Sequence, residues 1–145
     1  MTNYQPFKRT INYYETDRMQ VVHHSNYIRF LEECRMDFMK QIDLDYNWME
    51  EHGVMIPVLS VECDYRTPAR FGDTICIVPK LEKFSRVKFE MTYQIYSEDF
   101  SVLHNNARTS HCFVDKDFKL IRLQKDYPHV YETFKNLEGK ELYQI

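Results

Sequence analysis

One carboxylate, Asp17, stands between a strand-like segment and the start of an amphipathic helix, in the run Tyr14-Glu15-Thr16-Asp17-Arg18-Met19-Gln20-Val21-Val22-His23-His24-Ser25-Asn26-Tyr27. A helix start presents backbone N–H groups with no intrahelical partner and the positive end of the macrodipole, so it holds a polarised carbonyl oxygen or an anion. An acid beside such a donor is placed to attack the carbonyl or to activate water against it. His23 and His24 raise the question of a metal, but neighbouring side chains point in different directions and no second pair of ligands stands at a convincing spacing, so no metal is expected. Cys34, Cys63, Cys76 and Cys112 are widely spaced, with no C-x-x-C pair. They read as reduced and mostly buried thiols rather than nucleophiles.

The elements that must position this junction follow from periodicity. Phe7 to Tyr14 alternates as a half-buried strand, with Phe7, Ile11 and Tyr13 on the apolar side and Arg9 as the exception on that side. Tyr27, Phe30, Leu31, Cys34, Phe38 and Ile42 recur at helical spacing, predicting a long helix from Tyr27 to about Ile42 with one buried stripe and Ser25 or Asn26 as N-cap. A polar stretch runs from Asp43 to Gly53. Strand signals then dominate. The run from Met55 to Arg66 is expected to begin covered and end near solvent, and Thr67 to Asp73 reads as a turn. Thr74 to Phe84 is a strand in which Pro79 signals an edge or a bulge.

Val87, Phe89, Met91, Tyr93 and Ile95 alternate with Lys88, Glu90, Thr92 and Gln94, the pattern of an antiparallel strand with one covered face. Ser97-Glu98-Asp99 should reverse the chain. Ser101 to Asp115 gives a further strand, closed by a turn at Asp115 to Asp117, and Tyr127 to Leu137 a short helix with Pro128 near its start. One long helix among antiparallel strands predicts an α+β fold in which the sheet wraps the helix.

Composition limits the function classes. The 145 residues are 43% hydrophobic and 15% aromatic with only three glycines and five prolines, which fits one domain over residues 1–145 with little room for linkers. A formal charge of −3 argues against broad affinity for nucleic acid or anionic membrane. No apolar run approaches a bilayer span, and the start from Met1 to Lys8 lacks a secretory core. With the unpaired thiols, that makes the cytoplasm the expected location. No G-x-S-x-G elbow, P-loop or dinucleotide fingerprint is present.

Two blocks carry a resemblance. Tyr14-x-Thr16-Asp17, Met19 and Val21 to Tyr27, running into Arg29 to Arg35, form the first; Pro57-Val58, Tyr65, Pro68 to Phe71 and Gly72-Asp73 form the second. Together they resemble the 4-hydroxybenzoyl-CoA thioesterase family of hotdog-fold acyl-CoA thioesterases. The ending from Ile121 to Pro128 is similar to the YbgC-type branch.

The resemblance implies an antiparallel sheet wrapped around a central helix, and dimers with a continuous sheet, often stacked into tetramers, with active sites at the dimer interface. It implies an acyl-CoA substrate and no cofactor. Asp17 matches the catalytic carboxylate, and His24 the position whose backbone N–H faces the thioester oxygen. Tyr27 and Arg70 are further substrate-binding candidates, Arg70 and the nearby Arg66 toward CoA phosphates. Met19, Tyr13, Tyr14 and Phe30 are candidates for an acyl pocket. Gln20 departs from the pattern, since the family usually has glycine there. Hydrolysis of an acyl-carrier-protein thioester is the nearest variant, and a non-catalytic hotdog that binds an acyl-thioester is the reading from another class. A hotdog dehydratase is a third, which the Asp17 motif disfavours.

Overall fold

The computed structural model describes residues 3–145; the start read above for a secretory core includes Met1 and Thr2, which lie outside the described residues. Strands β1 (Phe7–Thr10), β2 (Val58–Tyr65), β3 (Thr74–Ser85), β4 (Lys88–Ser97) and β5 (Leu103–Cys112) form one antiparallel sheet in the order β1-β3-β4-β5-β2. Helix α1 (His24–Gln41) packs on it, followed by α2 (Tyr46–Glu51), α3 (Leu123–Asp126) and α4 (Pro128–Leu137). No helix among the described residues is long and apolar enough to cross a membrane.

The predicted stripe is the buried face of α1: Tyr27, Phe30, Leu31, Cys34, Phe38 and Ile42 are all in the core. They meet the inward side of β4, where Phe89, Met91, Tyr93 and Ile95 are buried as the alternation required. A polar thread also crosses this interface. The buried Arg35 of α1 donates through Nη1 to the Tyr93 hydroxyl at 3.2 Å, and that hydroxyl bonds Thr109 Oγ1 on β5 at 2.6 Å. The Pro128 helix forms as expected, with proline at its first turn and Val130, Phe134 and Leu137 buried. All four cysteines are unpaired, Cys63 partly buried and the others buried.

Several boundaries differ from the sequence reading. β1 stops at Thr10, and Tyr13–Glu15 is a short 3₁₀ turn in which Tyr13 is 76% exposed rather than on the covered side. The cause is Glu15, whose carboxylate takes the Asn12 N–H at 2.8 Å and turns the chain out of the sheet. The polar stretch after Asp43 contains α2, started by Asp45, whose Oδ1 accepts from Asn47 N–H at 2.7 Å.

The run from Met55 to Arg66 begins half-buried at Met55 to Pro57 and ends exposed, but β2 itself starts in the open. Val58 and Leu59 are 47% and 52% exposed because β2 is one of the two edge strands, with a bulge around Leu59 where its register against β5 slips. Pro79 sits inside a central strand, yet β1 pairs only with Thr74 to Ile77, so the proline lies where that flank is open. The β3 bulge comes slightly later, between Leu81 and Lys83.

Candidate active site

The segment ahead of α1 is a short closed loop. Thr16 and Val22 form a bridge, Asp17 N–H donates to the Val21 carbonyl at 2.9 Å, and Gln20 N–H donates to the Asp17 carbonyl at 2.9 Å. Closing so few residues forces Gln20 to φ +64°, the left-handed region that favours glycine. The loop is tied on both sides: Val22 N–H donates to the Ala69 carbonyl, and the Glu15 carbonyl accepts from His23 N–H at 2.9 Å and from Asn26 Nδ2 at 2.8 Å.

Beneath it lies an ion pair. Arg9, the residue that broke the apolar side of β1, donates to Glu15 at 2.7 Å and to Glu33 of α1 at 2.8 Å, with its guanidinium 4.2 Å from the centre of the Phe30 ring. Burial pushes the Glu15 carboxyl up, but hydrogen bonds from Arg9 and from the Asn12 N–H, with the Arg9 charge, hold it below its ordinary value.

Helix α1 begins earlier than its apolar stripe. His23, rather than Ser25 or Asn26, is the N-cap, its Nδ1 accepting from Ser25 N–H at 3.2 Å. The side chains of Ser25 and Asn26 are used elsewhere, Asn26 on Glu15 and Ser25 Oγ on His23 Nδ1 at 2.8 Å. His24 is thus the first helical residue. Ser25 N–H goes to the cap and Asn26 N–H to the His23 carbonyl, while no partner among the described residues takes the His24 N–H.

Asp17 faces the same space. Its Oδ1 accepts from Met19 N–H at 2.8 Å, which fixes the carboxylate, and Oδ2 has no partner among the described residues. Asp17, Met19, His24, Tyr27, Tyr65 and His104 share the wall of a cleft of about 170 Å³. A fixed acid with one free oxygen and an unspent helix-terminal N–H on one cleft can bind a carbonyl by its oxygen and present an oxyanion or base to its carbon.

The chain's likeness to other proteins falls on this architecture. A model of the "Thioesterase-like superfamily" matches residues 11–128. The chain belongs to that superfamily. By that membership it is a thioester hydrolase, and the hotdog arrangement is its fold. A Bacillus subtilis protein named "Putative acyl-CoA thioesterase YneP" is 34% identical over 119 residues, 81% of this chain and 86% of that one. The Helicobacter pylori "Acyl-CoA thioesterase YbgC" is 32% identical over 87 residues, 59% of this chain and 62% of its own. Among solved structures, the Staphylococcus aureus DHNA-CoA thioesterase superposes with TM-score 0.86 at 27% identity, covering 91% of this chain and 89% of that one.

Within this thioesterase-like chain the remaining candidates are placed as follows. Tyr27 lines the cleft but is 4% exposed; its hydroxyl accepts from Ala69 N–H at 3.4 Å, and its ring packs edge-on against Phe30 and Tyr65. Burial raises the Tyr27 and Tyr65 hydroxyls above their ordinary values, so both stay protonated. Arg70 is not part of the cleft wall. It lies in the turn before β3, bridged to Val21, and borders a neighbouring groove; Arg66 is the arginine that lines the cleft, paired with Asp64 at 2.6 Å. Met19 is in the cleft wall, Tyr13 and Tyr14 are outside it and exposed, and Phe30 is in the core.

His104 had no signal in the sequence. It sits near the start of β5, a strand whose pattern is irregular, and its approach to Asp17 depends on how the sheet folds back beside the helix start. Tyr65, seen only as part of a motif, donates its hydroxyl to the His24 carbonyl at 3.3 Å and so braces the helix start.

Proposed function

We propose that this protein hydrolyses acyl-CoA thioesters to the free acid and CoA. The observation that carries the reading is the pairing, on one cleft, of an Asp17 carboxylate oxygen and a His24 N–H that both lack a partner among the described residues. The thioester oxygen accepts from the His24 N–H, which with the helix dipole stabilises the negative charge that develops as the carbonyl carbon becomes tetrahedral. Asp17 acts at that carbon, as nucleophile or as base for water. A thiolate leaves readily, so the cleft needs neither a strong acid nor a cofactor.

The names of the B. subtilis and H. pylori relatives support acyl-CoA as the thioester, and the similar ending supports a reading of the chain within the YbgC-type branch. Unpaired thiols support a cytoplasmic setting. The functional unit in this reading is a homo-oligomer. β2 supports that, since it is an eight-residue outer strand with exposed Val58, Leu59 and Tyr65, an edge that natural proteins seldom leave bare.

Thiol release from acyl-CoAs of varied length and aromaticity tests the reading, with acyl-carrier-protein thioesters assayed beside them. Turnover supports the hydrolase and ranks its substrates. Saturable binding without thiol release from either carrier contradicts it and favours a non-catalytic binder.

A further inference from the structure

His104 is 5% exposed, and its Nδ1 lies 2.7 Å from the Thr67 carbonyl oxygen. A carbonyl only accepts, so Nδ1 carries the proton and, in the neutral ring, Nε2 carries the lone pair. Among the described residues, the side-chain atoms that are both enclosed and without a partner are Tyr4 Oη, the Asn105 amide atoms and His111 Nδ1. His104 Nε2 is not one of them, although no described residue bonds it, so it keeps access to the space its ring borders. That space is double. His104, with Thr67 and Pro68, lines both the Asp17 cleft and a groove of about 710 Å³.

A ring with one nitrogen anchored to a carbonyl and the other unbonded among the described residues, on a residue that lines a nucleophile's cleft, has the arrangement of an oriented general base. We infer that His104 takes the proton from the hydrolytic water, and that Asp17 is therefore the nucleophile. The inference rests on the hydrolase reading above and divides its two open roles between two residues. Asp17 Oδ2 bonds to the thioester carbon while the carbonyl oxygen sits on the His24 N–H; the C–S bond breaks and sulfur leaves with the electron pair as thiolate. Water then attacks the acyl carbon of the anhydride, its proton passes to His104 Nε2, and the C–O bond to Asp17 breaks with its pair returning to the carboxylate. The imidazolium gives its proton to solvent through the groove.

His104→Asn tests this, because the Asn amide can donate to the Thr67 carbonyl in place of Nδ1–H while supplying no base. The readouts are pre-steady-state thiol release, steady-state turnover and added imidazole. The expected result is one thiol per site in a burst, steady-state kcat lower by about 10²-fold or more, and partial recovery with imidazole. Turnover near that of the wild type overturns the role of His104 alone. Lost turnover with no burst overturns the division of labour. A wild type that releases no thiol from any acyl-CoA or acyl-carrier-protein substrate removes the hydrolase reading itself, and this proposal with it.

Discussion

Arg9 on β1, the sheet edge opposite β2, donates through Nη1 to Glu15 Oε1 at 2.7 Å, two residues ahead of Asp17. The Glu15 carbonyl in turn holds His23 N–H and the Asn26 side chain, so one residue links β1, the Asp17 loop and the first turn of α1. Glu15→Gln removes the charge partner of a mostly buried guanidinium that keeps Glu33. It is expected to destabilise the fold by about 1–3 kcal/mol, read by chemical denaturation. A loss below about 0.5 kcal/mol would remove the clamp from the account.

The same clamp sets a pH dependence. Glu15 has its carboxyl held below the ordinary value in the folded state, so the unfolded chain takes up a proton first as pH falls. Its stabilisation is complete above the ordinary glutamate range and is lost as pH falls through the lowered folded value. Denaturation midpoints of the wild type should therefore decline on acidification more steeply than those of Glu15→Gln. Parallel curves would assign the acid sensitivity to other carboxylates.

Gln20 occupies a left-handed backbone position at φ +64°. Replacing it by glycine relieves a strain of about 1–2 kcal/mol against an entropic cost of about 0.5–1 kcal/mol for freeing the unfolded chain. Gln20→Gly is expected to be at least as stable as the wild type, by up to about 1.5 kcal/mol on those two terms. A destabilised Gln20→Gly would mean that the glutamine side chain contributes a contact the backbone argument omits.

Residues whose partners are near in sequence or share one period were legible before the structure. The α1 stripe and the alternation of β4 formed where periodicity put them, and within the expected turn of Thr67 to Asp73 the chain reverses at Arg70 to Asp73. Asp17 stands ahead of the helix start, as the motif implied. What stayed hidden depends on distant neighbours. Arg9 reads as a fault in an apolar face until Glu15 and Glu33 close around it. The apolar start of β2 reads as covered, although burial belongs to its place at the rim of the sheet. His104 joins Asp17 only through the fold, 87 positions along the chain. The helix start moved to His24 because a histidine ring, seldom an N-cap, took that role.

The bare β2 edge makes an assembly prediction. Wild-type protein should sediment as a dimer or a larger even assembly, and Leu59→Lys, which puts a charge on that edge, should shift it toward monomer with its far-UV spectrum unchanged. A monomeric wild type, or a variant that assembles equally well, would contradict pairing through β2.

The most direct test of the central claim is thiol release by the wild type and Asp17→Asn on the best substrate of the acyl-CoA panel. Asp17 is half-buried on a loop held by backbone hydrogen bonds, and an Asn oxygen can still accept from Met19 N–H, so the amide variant should fold normally. The expected result is a fall in kcat/KM of at least about 10²-fold at unchanged stability. Turnover by Asp17→Asn equal to the wild type would show that the chemistry at this cleft does not run through its carboxylate.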